Sequence, residues 1–297
     1  MILKSGFAAI VGRPNSGKST LLNRLIGTKV SIVSDKPQTT RNRILGIHTQ
    51  EDAQIAFVDT PGIHRPGYKM NVRMMELVRE AMREVDILLH MVDVSENYGK
   101  GEKFALEMVE KYQKPALLLL NKIDLINKGR LLPVIEHYSE QGQYTEIFPI
   151  SAKKGDNLDA LVERIVSYLP EGELMYPDDY FTDQQERFMV SEAIREQVLL
   201  KTRKELPYST AVQIEEFDES RRDEGLVVIS ASVVVEKLGQ KKIVIGRSGQ
   251  MVKQIGTEAR KEIQSILGVR KVFLELNVKV IPGWRDQDFV LQDIGVN

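Results

Sequence analysis

The chain of 297 residues has no cysteine, one tryptophan and four histidines. Without thiols it forms no disulfides and no thiolate metal centres, and the histidines are too scattered for a zinc motif. No segment approaches the ~18 to 20 consecutive apolar residues that a membrane-spanning helix needs. The N-terminus carries one lysine before a short apolar run that passes straight into a glycine loop. That pattern is expected of a core strand and not of a signal peptide. A reducing cytosol suits such a chain.

What is present is the composition of a soluble globular protein, 42% hydrophobic and 28% charged. Its length suffices for about two domains with real cores. The net charge of -1 hides an asymmetry. Lys237 to Arg285 holds 11 Lys+Arg against 3 Asp+Glu, and the rest of the chain holds 30 against 39. A basic segment on an acidic body implies that the two ends face different partners.

Over residues 1–170 short apolar runs alternate with helical stretches. The runs are "FAAIV", "IAFVD", "ILLHMVD", "ALLLLN" and "IFPIS", continuous enough to be strands covered on both faces. The alternation predicts a mostly parallel α/β sheet with ligands outside the carboxyl ends of its strands. A further strand is expected near "RILGIHT". The stretch "LPEGELMYPDDY" gathers Pro, Gly and acidic residues and reads as a linker, taken as 171–183. Residues 184–297 then follow the order helix, strand, strand, helices, strand. An amphipathic helix there is marked by Phe188, Ala193, Ile194 and Val198.

Four motifs end the strands of the first part. "GRPNSGKST" sets Gly12, Gly17, Lys18 and Ser19 between a strand and a helix. Backbone N–H groups of Asn15, Ser16, Gly17 and Thr20 and the helix N-terminus suit a polyphosphate. Lys18 would reach the β- and γ-oxygens, and the Ser19 hydroxyl would ligate Mg²⁺. Asp59 in "DTPG" is placed to hold the same metal, with Gly62 close to the γ-phosphate. "NKID" supplies Asn121, Lys122 and Asp124. Guanine offers adjacent N1–H and N2–H₂ donors that one carboxylate accepts together, whereas adenine presents an acceptor, so Asp124 selects guanine. The Lys122 stem would lie over the base. Ser151, Ala152 and Lys153 follow "IFPI", where the Ala152 N–H is placed for the guanine O6. In "DKPQTTRNR", Thr40 is preferred over Thr39 as a threonine that closes on Mg²⁺ and the γ-phosphate, making this loop a switch.

These motifs, in this order, resemble the small GTPase family, and "GRPNSGKST", "PQTTR", "DTPGIHRP" and "NKID" are similar to its bacterial branch of tRNA-modifying and ribosome-assembly GTPases. Ras-like members carry a water-orienting glutamine after "DxxG"; this chain has Ile63, which cannot polarise water. In relatives with an asparagine inside the phosphate loop, that residue helps bind a potassium ion in place of an arginine finger. Asn15 matches it, so the resemblance implies GTP/GDP, Mg²⁺ and K⁺ as cofactors and Lys18, Asn15, Thr40 and Gly62 as the catalytic set.

"IVIGRSGQMVKQIG" contains Gly246, Arg247, Ser248 and Gly249. A lone GxxG is usually a turn. Here it opens a helix inside the basic segment, the setting in which a backbone of about four nucleotides is clamped in the KH mode. Lys242, Lys253, Arg260 and Lys279 are candidates to neutralise phosphates. Ile243, Ile245, Met251, Val252 and Ile255 divide between core and groove. Trp284 is expected to pack more than to stack a base, and Lys241, Lys261 and Lys271 fit a solvated face. The order of elements resembles a type II, prokaryotic KH domain.

"GQMVKQIGTEARKEIQSILG" and "VFLELNVKVIPGWR" extend the resemblance along nearly the whole chain, to the TrmE-Era-EngA-like GTPase family. The expected architecture is an α/β P-loop GTPase domain with a mostly parallel sheet, followed by an α+β type II KH domain. The resemblance implies a monomeric, cytoplasmic GTPase that binds the 3′ end of 16S rRNA and assists assembly of the small (30S) ribosomal subunit, with peripheral association at the inner membrane. A competing reading makes the C-terminal domain a docking module for a membrane-peripheral regulator of cell division or signalling. A metabolic kinase is disfavoured by "NKID".

Overall fold

The computed structural model describes residues 3–202 and 206–296. The apolar runs become β1 (Lys4–Gly12), β3 (Ala53–Asp59), β4 (Ile87–Asp93), β5 (Ala116–Asn121) and β6 (Glu146–Ile150), and the further strand is β2 (Ile44–Gln50). Between them run α1 (Lys18–Ile26), α2 (Lys69–Glu84), α3 (Lys100–Glu110) and α4 (Leu131–Gln141), with α5 (Leu158–Tyr168) last. The strands form one sheet in the order β2-β3-β1-β4-β5-β6. Only β2 runs antiparallel, against β3. Every residue of β3 and β5 is buried, because helices cover both faces of a parallel sheet and leave no side for polar residues.

Parallel direction carries the function. Ile10 pairs with Asp59, Gly12 with Met91, Asp93 with Asn121 and Asn121 with Ile150. The loops after β1, β3, β4, β5 and β6 therefore leave the same edge of the sheet.

The remaining elements are α6 (Glu186–Lys201), β7 (Ala211–Asp218), β8 (Leu226–Val235), α7 (Leu238–Ile245), α8 (Gln250–Leu267), β9 (Lys271–Val280) and α9 (Asp288–Asp293). Their sheet has the order β7-β8-β9, antiparallel at β7 and parallel at β9. Ile194 and Val198 of α6, Val227 and Ile229 of β8, and Ile255, Ala259 and Ile263 of α8 share one core. By packing, one unit comprises Met1–Val33, Thr40–Pro66 and Met74–Asp183, and the other Ser34–Thr39, Gly67–Arg73 and Gln184–Asn297. Two short segments of the N-terminal half thus group with the second unit. No helix among the described residues is long and apolar enough to cross a membrane.

The stretch 171–183, expected to link, is itself anchored in the first unit. Ser5 N–H donates to the Pro170 carbonyl at 3.1 Å and Gly172 N–H to that of Leu3 at 3.1 Å. Farther on, Ile47 N–H donates to the Phe181 carbonyl at 2.9 Å and the Thr182 hydroxyl to that of Leu45 at 2.6 Å. These bonds occupy backbone groups on the open side of β2, an edge that would otherwise offer itself to other strands. Between the two ends, Gln54 of β3 acts as a substitute peptide. Its Oε1 accepts from Met175 and Tyr176 N–H at 2.8 and 2.9 Å, and its Nε2 donates to the Tyr176 carbonyl at 2.9 Å.

Gln54 is fully buried, so replacing it by the similarly sized Leu leaves two backbone N–H groups without an acceptor. Gln54→Leu is expected to destabilise the protein by about 2 to 4 kcal/mol in urea unfolding. Limited proteolysis should then cut within residues 174–182 faster than in the wild type.

Candidate functional site

The loop after β1 turns into α1 at Gly17, whose φ is 104°. No side chain caps this helix start and its first turn holds no acidic residue, so its N–H dipoles are free to meet an anion. Lys18 is 5% exposed. Its Nζ donates to the carbonyls of Arg13 at 2.9 Å and Gly12 at 3.3 Å. Burial pushes its pKa down to about 8, against the opposing pull of Asp59 and Glu102. An ammonium held in this way gains most from a phosphate that restores its lost solvation.

Three oxygens converge beside it. Ser19 Oγ lies 2.6 Å from Asp59 Oδ2 and 2.8 Å from Thr40 Oγ1. Asp59 is fully buried, and burial raises its pKa while Lys18, Ser19 and Ser31 act against the rise. Its second oxygen, Oδ1, is buried with no hydrogen-bond partner. Hard oxygen donors around an unpaired carboxylate oxygen fit a magnesium ion. Of the two threonines, Thr40 reaches this group; the Thr39 hydroxyl donates within its own loop to the Lys36 carbonyl at 2.6 Å.

The sequence reading missed Ser31 and Asn23, which build this corner. Ser31 Oγ donates to Asp59 Oδ2 at 3.1 Å, and Asn23 of α1 holds the backbone of Val30 and Ser31 with both ends of its amide. No motif joins them, because their roles depend on a loop folding back over the helix. Gly62 also serves by contact: a Cβ there would lie 2.6 Å from Pro14 N, and Ile63 N–H donates to the Gly12 carbonyl at 2.9 Å. The Ile63 side chain is 2% exposed and joins the core, away from any water it would have to orient.

Asn121 holds the loops together. Its Nδ2 donates to the Ser16 carbonyl at 2.7 Å, and its Oδ1 accepts from Ala152 N–H at 2.9 Å. In this arrangement the Ala152 N–H, expected to meet a base, is engaged by Asn121. Asp124 is exposed and oriented by the Ser151 hydroxyl at 2.7 Å. Lys122, at φ 68°, pairs with Asp93, another residue that the motifs did not indicate. Lys153 is exposed, Thr20 half-buried, and Asn15 exposed with φ 66°.

In the second unit Gly246 has φ 73°, and a Cβ there would meet Met251 Cβ at 2.6 Å and its N at 2.9 Å. Only glycine fits this turn. Gly249 begins α8 at φ 76°, with open space where a Cβ would stand. Lys242, Arg247, Ser248 and Lys253 are exposed on or beside the loop, and Arg260 is half-buried on α8. Lys279 is not brought to this group. It pairs with Glu215 of β7 and alternates with Val278, which faces the core, so it projects from the other face of the sheet. Ile255 and Val244 are core, whereas Ile243 is 54% exposed. Lys261 pairs with Glu258. Trp284 is fully buried with its Nε1 on the Ser209 carbonyl at 3.0 Å, so it packs.

A phosphate loop on a parallel sheet, with an oxygen cluster and a base-reading loop at the same edge, defines the P-loop GTPase class, here joined to a KH fold. Residues 7–122 match the model described as 50S ribosome-binding GTPase, and residues 205–285 match the KH domain model. A variant of Aquifex aeolicus Era bound to GDP and aluminium fluoride is 41% identical, with a TM-score of 0.94 and 99% of both chains covered. An Era complex with MgGDPNP and nucleotides 1506–1542 of 16S ribosomal RNA is 42% identical, with a TM-score of 0.95 and the same coverage. The chain belongs to the Era family of GTPases.

Asn121→Ala is expected to leave the buried Ser16 carbonyl and Ala152 N–H unpaired. Chemical unfolding should register a loss of about 2 to 4 kcal/mol, and guanine nucleotide binding should weaken with it.

Proposed function

We propose that this protein is a GTPase switch that hydrolyses GTP to GDP and phosphate and binds the 3′ end of 16S rRNA, assisting maturation of the small ribosomal subunit. The convergence of Ser19, Thr40 and Asp59 beside Lys18 carries the first half of this reading. The basic GxxG loop and the 99% coverage by an Era bound to 16S rRNA support the second.

Asp124 selects guanine, and Lys122 covers the base. Lys18 and the α1 N-terminus meet the phosphates with positive charge, which stabilises the oxygens that gain charge during transfer. Ser19, Thr40 and Asp59 would hold Mg²⁺, which when bound supplies Lewis-acid charge to the β- and γ-oxygens. Gly62 lets the "DTPG" backbone approach the loop closely, so arrival of a γ-phosphate is sensed there and at Thr40. Ile63 orients no water. By the resemblance to relatives with an asparagine at this place in the loop, Asn15 would serve as a ligand for K⁺, and hydrolysis would depend on that ion.

RNA is clamped at Gly246 to Gly249, with Lys242, Arg247 and Lys253 neutralising phosphates in a salt-dependent way. A cytoplasmic location with peripheral contact to the inner membrane belongs to the same proposal, and fractionation of cell extracts tests it.

The decisive measurement is GTP turnover in potassium and in sodium buffer, with and without a 16S 3′-end oligonucleotide. Potassium is expected to accelerate turnover, and Asn15→Ala to abolish the difference; equal rates in both salts would remove the potassium role. Gly249→Asp puts a carboxylate into open space at the loop and should abolish oligonucleotide binding while leaving basal turnover intact. Gly246→Asp is the poorer test because it collides with Met251. Asp124→Asn is expected to weaken GDP binding by a factor on the order of 10² or more and to favour xanthosine diphosphate, whose 2-oxo group accepts the new N–H.

A further inference from the structure

Behind the phosphate loop lies a row of buried and half-buried polar groups that hydrolysis as described does not use. His90 of β4 pairs in register with Val11 of β1 and is fully buried. Its Nδ1 is 2.6 Å from Tyr144 Oη. Its Nε2 stands 3.6 Å from Glu102 Oε1, beyond hydrogen-bond distance, and neither of these two atoms has a hydrogen-bond partner. Glu102, in the first turn of α3, sets its other oxygen 3.6 Å from Arg13 Nη1. Gly101 makes room for that contact, since a Cβ there would lie 2.8 Å from Arg13 Nε.

Arg13 is part of the phosphate loop itself. Its carbonyl is the closer of the two that hold Lys18 Nζ, and it also accepts from Ser16 N–H at 3.4 Å. Whatever fixes Arg13 therefore fixes the acceptor that aims Lys18.

The proton positions follow from the partners. With Nδ1 accepting from the Tyr144 hydroxyl, the His90 proton sits on Nε2, the side that faces the Glu102 carboxyl group. Burial holds that hydroxyl well above its ordinary pKa, so it keeps its proton. Burial, with Lys18 adding to it, pushes His90 down to about 3, and the imidazole stays neutral. Burial also raises Glu102, against the pull of Arg13. Burial disfavours a charge on Glu102 while Arg13 and Lys18 favour it, so its state depends on these neighbours.

We propose that Arg13 is a positioning residue of the phosphate loop, held from behind by Glu102, His90 and Tyr144, and that this chain governs how firmly Lys18 is presented to a nucleotide. The proposal rests on the reading that a guanine nucleotide occupies this loop. None of the four side chains is needed to touch the reacting atoms; they act through Lys18, which serves both nucleotide binding and charge stabilisation during transfer, so retention, KM and kcat all respond.

The test uses the full-length protein, a fluorescent GDP analogue for dissociation, and steady-state GTP kinetics. Arg13→Gln and Glu102→Gln are each expected to speed GDP release and raise KM about tenfold, with kcat lowered by a smaller factor. The double variant should be no worse than either single one, because both remove the same contact. Arg13→Lys, which keeps the charge, should recover most of the affinity, and Tyr144→Phe should act in the same direction by about threefold. Strictly additive effects, or unchanged dissociation and KM with only a lowered melting temperature, would overturn the proposal. If Glu102→Gln does not fold, the partly exposed Arg13 decides through its Gln and Lys variants. A wild-type protein that binds no guanine nucleotide would instead overturn the functional reading, and it would do so before any variant is made.

Discussion

Lys18 and Asp59 lie beneath the phosphate loop at 5% and 0% exposure, where neither charge is stable without partners. Desolvation works against both, lowering the pKa of the lysine and raising that of the aspartate. Their mutual attraction and the hydroxyls of Ser19 and Ser31 offset part of that cost. Asp59 Oδ1 keeps an open demand. A site built in this way has low affinity for being empty, and a metal-bound polyphosphate meets the needs of both charges at once.

The rest of the first unit serves to bring these groups to one edge. Because β1, β3, β4, β5 and β6 share a direction, with helices carrying the chain back between them, their polar ends lie side by side, and Asn121 ties two of the resulting loops through a single amide. The far edge of the sheet is closed by residues 170–182, with Gln54 as the central clamp. The segment leaves Leu174, Met175, Tyr180 and Phe181 exposed and packs Tyr176 only partly against the core. It is therefore held by hydrogen bonds to backbone and to one buried amide.

The second unit separates its charges by the same physical rule that separates core from surface. The GxxG loop with Lys242, Arg247 and Lys253 lies where α7 meets α8, whereas strand alternation carries Lys279 to the opposite face and into a pair with Glu215. Part of the basic surplus of Lys237 to Arg285 is thus neutralised locally by Glu215 and Glu236, which lie outside that segment. The charge available for a polyanion is smaller and more sharply placed than composition suggests.

The sequence alone determined what depends on local patterning. Apolar run length and alternation with helices required a parallel sheet, and the spacing of Gly12, Lys18, Ser19, Asp59 and Asp124 identified the chemistry, since such motifs are short and each closes a strand. It also reported Trp284 as a packing residue. Only the tertiary structure decided which groups act through others. Ser31, Asn23 and Glu102 fall in no motif, and Arg13, His90 and Asp93 lie inside motifs or strands that assign them no role; their roles arise from strands and loops distant in the chain lying a few ångströms apart. The anchoring of residues 171–183 and the removal of Lys279 from the loop group were hidden for the same reason. A strand's outward side and a segment's hydrogen-bond partners are properties of the packed sheet.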